Sequence, residues 1–405
     1  MGKKETASKN KIKRMPVKTA AESRGGKHRR YSLVLPLALV MAGLLIWGLF
    51  MIFSSSAYSG GVGESEDIYE FLKRQILAEA VGIGVILVIC SRLGGFAIAV
   101  ARKKVPRFII VAAAASSVIM LLFFGITRNG ATRWFQIAGL SIQPAEIVKI
   151  AVIIFLAALV ADYPKICDSI PGYVLFLTVP GILAGLVYVI TDNLSSAIII
   201  FGIAAALGFV ASNDVKIHLC LAALGGVGVW GVIKHAENMT YTEDMSYRWK
   251  RVLVWLHPEE HLREGGYQPL QALYAIGSGG LTGKGIGRSI QKLGTIPEVH
   301  NDMIFSVICE ETGLVGAALL LTAFAALIVI MGAIAWRIDN IYGKMLVIGV
   351  MAHIAIQVIL NVMVVTAIMP NTGVSLPFIS YGGSSVLFLM TEMGMVFRVA
   401  RDNNA

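Results

Sequence analysis

A chain of 405 residues that is 56% hydrophobic and only 15% charged, with a mean hydropathy of +0.72, is too apolar for a soluble globular protein. Its net charge of +10 gathers in residues 1–30, where eleven Lys/Arg stand against two Glu. Apolar runs of about twenty residues recur behind that tail, each long enough to cross ~30 Å of hydrocarbon, and their continuity argues against a transmembrane barrel.

The basic tail directly precedes the first apolar run. That position favours a disordered cytoplasmic arm beside anionic headgroups over a nucleic-acid-binding segment. The run behind it is too long for the core of a signal peptide and reads as a retained anchor. Ten spans are predicted, at 33–54, 74–92, 107–125, 145–162, 170–190, 194–212, 217–234, 303–335 (with a break near its start), 343–367 and 380–398. The basic connection "SRLGGFAIAVARKKVPR" falls on the side of the tail and acidic "EDIYE" falls opposite, so an even count puts both termini in the cytoplasm. The fold class is therefore an all-α polytopic membrane protein, one transmembrane domain over residues 31–405. Residues 235–302, between spans 7 and 8, hold no spanning run and form one large extracytoplasmic loop. Cys90, Cys167, Cys220 and Cys309 lack CxxC partners and read as packing residues rather than a disulfide or zinc framework.

Several stretches carry polar chemistry that a lipid-facing helix does not need. "GATRWFQIAGLSIQPAEIVKI" (130–150) sets Arg133 and Trp134 before a helix opened by Pro144, a residue favoured in the first turn. Glu146 and Lys149 then share one helix face. A solvated helix end needs no charge pair one turn in, so the pair is expected in a polar wall facing a cavity. Asp192, in the short "ITDNLSSAII" turn, reads as a cap for the following helix. "HPEEH" (257–261) has the H-x-x-E-H spacing of a zinc protease, but Pro258 makes a long helix doubtful and two solvated loop histidines are expected.

"GSGGLTGKGIG" (277–287) lacks the Walker A pattern, because Ser278 stands where glycine is needed and Gly285 follows the lysine. Two readings stay open: a turn between short helices, or backbone N–H groups and Lys284 around an anion. In "PEVHNDMIFSVICEE" (297–311), Glu298, His300 and Asp302 crowd the start of an apolar helix, and Glu310 and Glu311 follow inside it. Taken alone, Asp302 is a helix cap. "NTGVSLPFISYGGSSVLF" (371–388) interrupts an apolar region with Pro377, Gly382, Gly383 and hydroxyls that include Ser380 and Ser384. Such irregular backbone at membrane depth is tolerated where protein or a water-filled cavity covers it.

These segments together resemble the SEDS family, the membrane proteins of shape, elongation, division and sporulation that include FtsW, RodA and SpoVE. The resemblance spans nearly the whole chain behind the tail. It rests on "GATRWF…QPAEIVK", "YRWKRVLVWLHP…GGYQPLQALYAIGSGGLTGKGIG", "PEVHNDMIF…EETGLVG" and "GVSLPFISYGGSS", in the family's order and spacing. "QKLGTIPEVHND" looks closer to the division and sporulation branch than to RodA. The chain departs from the family where Asn301 and Met303 replace the usual Thr and Phe around Asp302, and where Ala272 replaces a serine after Gln271. It departs again where Asp192-Asn193-Leu194-Ser195-Ser196 replaces Asp-x-Gly-Thr.

The resemblance implies a peptidoglycan glycosyltransferase that polymerises lipid II into β-1,4 strands on the outer face of the cytoplasmic membrane, with Asp302 as its base. Arg133, Trp134, Glu146, Lys149, Tyr267, Gln268, Gln271, Lys284, Glu298, His300, Ser380 and Ser384 form the implied substrate-binding set. Arg133, Lys149 and Lys284 are the candidates to meet the departing pyrophosphate, with a divalent cation (magnesium or manganese) able to share that task. The implied partners are a class B penicillin-binding protein transpeptidase and other division proteins at the septum, and no nucleic acid. The rival readings are a RodA-like elongation polymerase, a lipid II flippase and a scaffold without chemistry.

Overall fold

The computed structural model describes residues 32–56, 69–128, 131–137, 140–242, 245–292 and 299–403, so the basic tail lies outside the described residues. In chain order the helices are α1 (Val34–Ser56), α2 (Tyr69–Cys90), α3 (Arg92–Ala101), α4 (Lys104–Ile119), α5 (Leu121–Phe124), α6 (Pro144–Asp162), α7 (Ile170–Thr191), α8 (Leu194–Ala211), α9 (Val215–Glu237), α10 (Tyr247–Leu256), α11 (Tyr267–Gly279), α12 (Ile304–Arg337), α13 (Ile341–Val365) and α14 (Gly383–Asp402). Among the described residues, α1, α4 with α5, α6 to α9 and α12 to α14 are each long and apolar enough to cross a membrane. The second expected span differs from a plain helix. α2 and α3 pass that test only as a pair bent by 75°, which brings the count from nine to ten.

α13 lies at the centre of the bundle, packed against α6, α8, α12 and α14, while α2 runs along α14. α8 is apolar all round, as a helix between protein and lipid should be. Pro180 sits inside α7, a place that spanning helices tolerate. α9 packs on α10 and has no buried residue in its most apolar window, so its length lies exposed on the outside of the bundle.

Between α5 and α6 the chain forms a three-stranded antiparallel sheet absent from the predicted elements: β1 (Ile126–Arg128), β2 (Ala131–Ile137) and β3 (Leu140–Ile142). Arg128 pairs with Ala131 and Ile137 with Leu140, so both links are two residues long. The first link is Asn129-Gly130, the strongest short hairpin signal a sequence carries.

The predicted break in the eighth span falls at Gly313, whose backbone (φ 67, ψ −168) leaves the helical region. The "GGLTGKG" segment docks there. Gly283 N donates to Gly279 O, and the N–H groups of Lys284 and Gly285 donate to the carbonyls of Glu310 (2.9 Å) and Glu311 (3.0 Å). Leu314 N and Val315 N reach back to Gly280 O and Leu281 O. The glycines are needed for close approach: a Cβ on Gly283 would stand 2.2 Å from Glu311 O, and one on Gly313 would stand 2.3 Å from Gly283 N. This favours the turn reading over the anion reading, because the N–H groups of Gly283, Lys284 and Gly285 are spent on α11 and α12.

Candidate active site at the mouth of the bundle

The connections at one end of the bundle touch one another. Arg133 on β2 donates from Nε to Thr191 O (3.3 Å) and from Nη2 to Asp192 O (3.1 Å) in the α7–α8 turn. Ser195 Oγ at the start of α8 donates to Thr372 O (2.8 Å), and Asn371 Nδ2 donates to Gln268 Oε1 on α11 (2.8 Å). Trp255 Nε1 on α10 donates to Ala367 O (2.8 Å). The 366–382 segment is therefore held by α8, α10 and α11 together.

Asp302 lies against this segment. It occupies the turn before α12, half-buried, and a Cβ placed on Gly373 would be 3.7 Å from its Oδ2. Asp302 does not stand at the cap position as expected: α12 begins at Ile304 and its cap residue is Met303, one position further on. Asp192 is corrected in the same way. It closes α7 with a left-handed backbone (φ 54), and Asn193 caps α8 by accepting from Ser196 N at 3.0 Å. The Asp192 carboxylate instead pairs with Arg248, whose guanidinium sits 3.9 Å over the Tyr188 ring.

Glu310 and Glu311 are buried to 0% and 1% exposure, each consumed by a lysine from the preceding loop. Glu310 Oε1 accepts from Lys284 Nζ (2.7 Å) and Ile290 N (3.1 Å), and Oε2 accepts from Ser289 Oγ. Glu311 accepts from Lys292 Nζ (2.8 Å) and from Ser54 Oγ at the end of α1 (2.8 Å). Two acids at that depth thus pin the loop and α1 to α12. Lys284, expected to meet the pyrophosphate, is thus paired with α12 while its side chain stays partly exposed.

Lys149 is paired as well. It pairs with Glu146 at 2.6 Å and meets His353 Nε2 at 3.1 Å, and His353 Nδ1 meets Glu392 Oε2 at 2.7 Å. All four groups are buried, so the expected cavity wall is instead a charge network internal to α6, α13 and α14. Arg133 and Trp134 are half-buried on β2, at the mouth. Tyr267 is exposed at the start of α11, and Gln271 is half-buried one turn on.

The His300 ring packs 4.5 Å from Phe71 and edge-on to Tyr381 at 5.7 Å, while its carbonyl accepts from Tyr381 N (2.9 Å). Ser380 Oγ accepts from Leu376 N at 2.7 Å and is buried, a loop-shaping role, and Ser384 is half-buried at the start of α14. Glu298 lies outside the described residues. His257 ends α10 and His261 stacks on Tyr241, so no zinc-protease helix forms. Burial, with Asp168 beside it, pushes the Cys167 thiol up to about 12, which leaves it inert as a nucleophile.

Asn361 on α13 belongs to none of the motifs above, yet it is buried in an apolar run, and a polar side chain at that depth is itself a functional signal.

A multi-pass helical membrane protein, with polar connections gathered at one end around Asp302, is the class this geometry defines. The family model described as cell cycle protein, covering FtsW, RodA and SpoVE, matches residues 35–405. Stage V sporulation protein E of Bacillus subtilis (strain 168) is 33% identical over 368 residues, covering 90% of this chain and 96% of that protein. A probable peptidoglycan glycosyltransferase FtsW of Coxiella burnetii (strain RSA 493 / Nine Mile phase I) is 35% identical over 285 residues, 68% of this chain and 73% of that one.

Among solved structures, a chain of a peptidoglycan synthase complex that coordinates polymerization and crosslinking superposes with a TM-score of 0.70 at 22% identity, over 91% of this chain and 98% of that one. The rod shape determining protein RodA of Thermus thermophilus gives 0.60 at 23% identity, over 91% and 97%. The chain belongs to the FtsW/RodA/SpoVE family.

Proposed function

We propose that this protein is a peptidoglycan glycosyltransferase that polymerises lipid II at the outer face of the cytoplasmic membrane. The observation that carries the reading is the placement of Asp302. In the stretch 299–311 the other described acids, Glu310 and Glu311, are fully buried, whereas Asp302 keeps partial exposure at the mouth of a spanning helix. A lipid-linked sugar has its tail in the bilayer and its reacting atoms at the interface, where this mouth lies.

In the proposed step, the acceptor 4-hydroxyl attacks the donor anomeric carbon. Asp302 takes the hydroxyl proton, the bond from that carbon to the α-linked pyrophosphate oxygen breaks, and the polyprenyl pyrophosphate leaves with inversion. Arg133, held on β2 by its bonds to Thr191 O and Asp192 O, is placed in this step beside the departing charge. Among the described residues no three His, Cys, Asp or Glu side chains assemble to hold magnesium or manganese.

A single-span class B penicillin-binding protein is the partner we propose, supported by the fold shared with a chain of a synthase complex. The named FtsW and sporulation relatives support a division-type role at the septum, together with other division proteins.

Asp302→Asn tests the base. It keeps the size and the hydrogen-bonding reach of the side chain but cannot take a proton. Lipid II polymerisation by purified protein in detergent, assayed with the cognate transpeptidase, should fall by about 10²–10⁴-fold with thermal stability unchanged. Near-normal polymer from the asparagine variant would sink the assignment. Wild-type polymerisation in detergent, where no second compartment exists, would also count against a pure flippase.

A further inference from the structure

α13 carries two side-chain amides one turn apart, Gln357 and Asn361, 3% and 0% exposed. Gln357 Nε2 donates to Ser375 O (3.0 Å) and Ser375 Oγ (3.4 Å). Asn361 Nδ2 does something different. It donates to two backbone carbonyls at once, that of Asp302 (2.8 Å) and that of Val374 (2.7 Å). Both partners are acceptors, so the amide orientation follows from chemistry.

Val374 directly follows Gly373, the residue whose Cα side faces Asp302 Oδ2. One buried NH₂ group therefore joins the backbone of Asp302 to the segment flanking its carboxylate. The Asn361 Oδ1 atom has no hydrogen-bond partner among the described residues, so this amide is buried for its two donor bonds.

We propose that Asn361 is a positioning residue for Asp302, fixing the distance and angle between that carboxylate and the 371–375 segment. This rests on the assignment of Asp302 as base. A base held at hydrogen-bond reach of the proton it removes loses rate steeply when it is displaced by about 1 Å, while substrate binding by remote contacts persists. Asn361 is thus expected to act on kcat rather than KM. Gln357 serves as the internal control, since it anchors the same segment from the same helix without touching Asp302.

Asn361→Leu and Asn361→Ala should be purified in detergent beside Gln357→Leu, and their melting temperatures and polymerisation kinetics compared with wild type. The expected result is a kcat at least tenfold lower, with KM for lipid II within twofold, in the Asn361 variant that melts near wild type. Gln357→Leu should show a comparable change in melting temperature with kcat within about threefold.

Folded Asn361 variants with kcat within twofold of wild type would overturn the proposal. An equal kcat loss in Gln357→Leu would also overturn it by assigning the effect to the whole segment. Failure of both Asn361 variants to fold would return the residue to the core. Asp302→Asn separates the two readings. An active asparagine variant defeats the base assignment itself, whereas an inactive one beside fully active Asn361 variants defeats this inference alone.

Discussion

Lys149 is among the largest fully buried side chains, and its ammonium is shared between Glu146 and His353. Taking such a charge out of water is costly, and the cost is met only while its partners are present. Lys149→Ala leaves Glu146 buried and unpaired and is expected to cost about 3–5 kcal/mol, read as a large drop in melting temperature or in monodisperse protein recovered. The double variant Glu146→Ala with Lys149→Ala removes both charges and should recover part of that loss. Equal and negligible effects of the single and double changes would place the pair in solvent. Lys149, expected as a pyrophosphate contact, has its ammonium between Glu146 and His353 inside the bundle.

At the scale of elements, the decisive contact is the docking of the glycine-rich segment into the break of α12. Four backbone hydrogen bonds cross it, from Lys284, Gly285, Leu314 and Val315. The ion pairs Lys284–Glu310 and Lys292–Glu311 reinforce it. Gly313→Ala is the cleanest way to disturb it. Its φ of 67 disfavours any side chain, and the added Cβ meets the Gly283 and Leu281 backbone rather than a movable side chain. We expect Gly313→Ala to destabilise the protein by more than an ordinary surface substitution and to raise protease sensitivity within residues 280–292. Wild-type melting and digestion patterns would show that the break does not depend on glycine. The same logic makes Gly283 intolerant, since its Cβ would meet Glu311 O.

For the molecule as a whole, sidedness follows from charge and from contact together. With α2 and α3 counted as one bent span, the sheet, the α7–α8 turn, the α10–α11 region and the 366–382 segment all emerge at the same end, and the hydrogen bonds among them require that. Basic "ARKKVPR" emerges at the other end. A reporter inserted after Gly265 should therefore read as extracytoplasmic and one fused after Ala405 as cytoplasmic. A cytoplasmic signal at Gly265 would put Asp302 on the wrong face for a lipid-linked donor with sugars outside. That outcome would defeat the proposed polymerisation whatever the phenotype of Asp302→Asn.

The sequence by itself determined the membrane class, nearly all the spans, the break in the eighth and the family, because each rests on local composition or on short motifs. Asn129-Gly130, between β1 and β2, is an equally local signal, but one that apolar periodicity does not register. Partnership was decided only by tertiary structure. Nothing within "EIVKI" shows that Lys149 meets a histidine 204 positions away, or within "VICEE" that each glutamate takes a lysine from the preceding loop. The position of Asp302 relative to Asn361 and Gly373 is likewise set by three distant segments meeting at one end of the bundle. Spans are chosen by the transfer of each segment into lipid, a property of the segment alone. A buried charge or amide is tolerated only through partners that the chain brings together by folding.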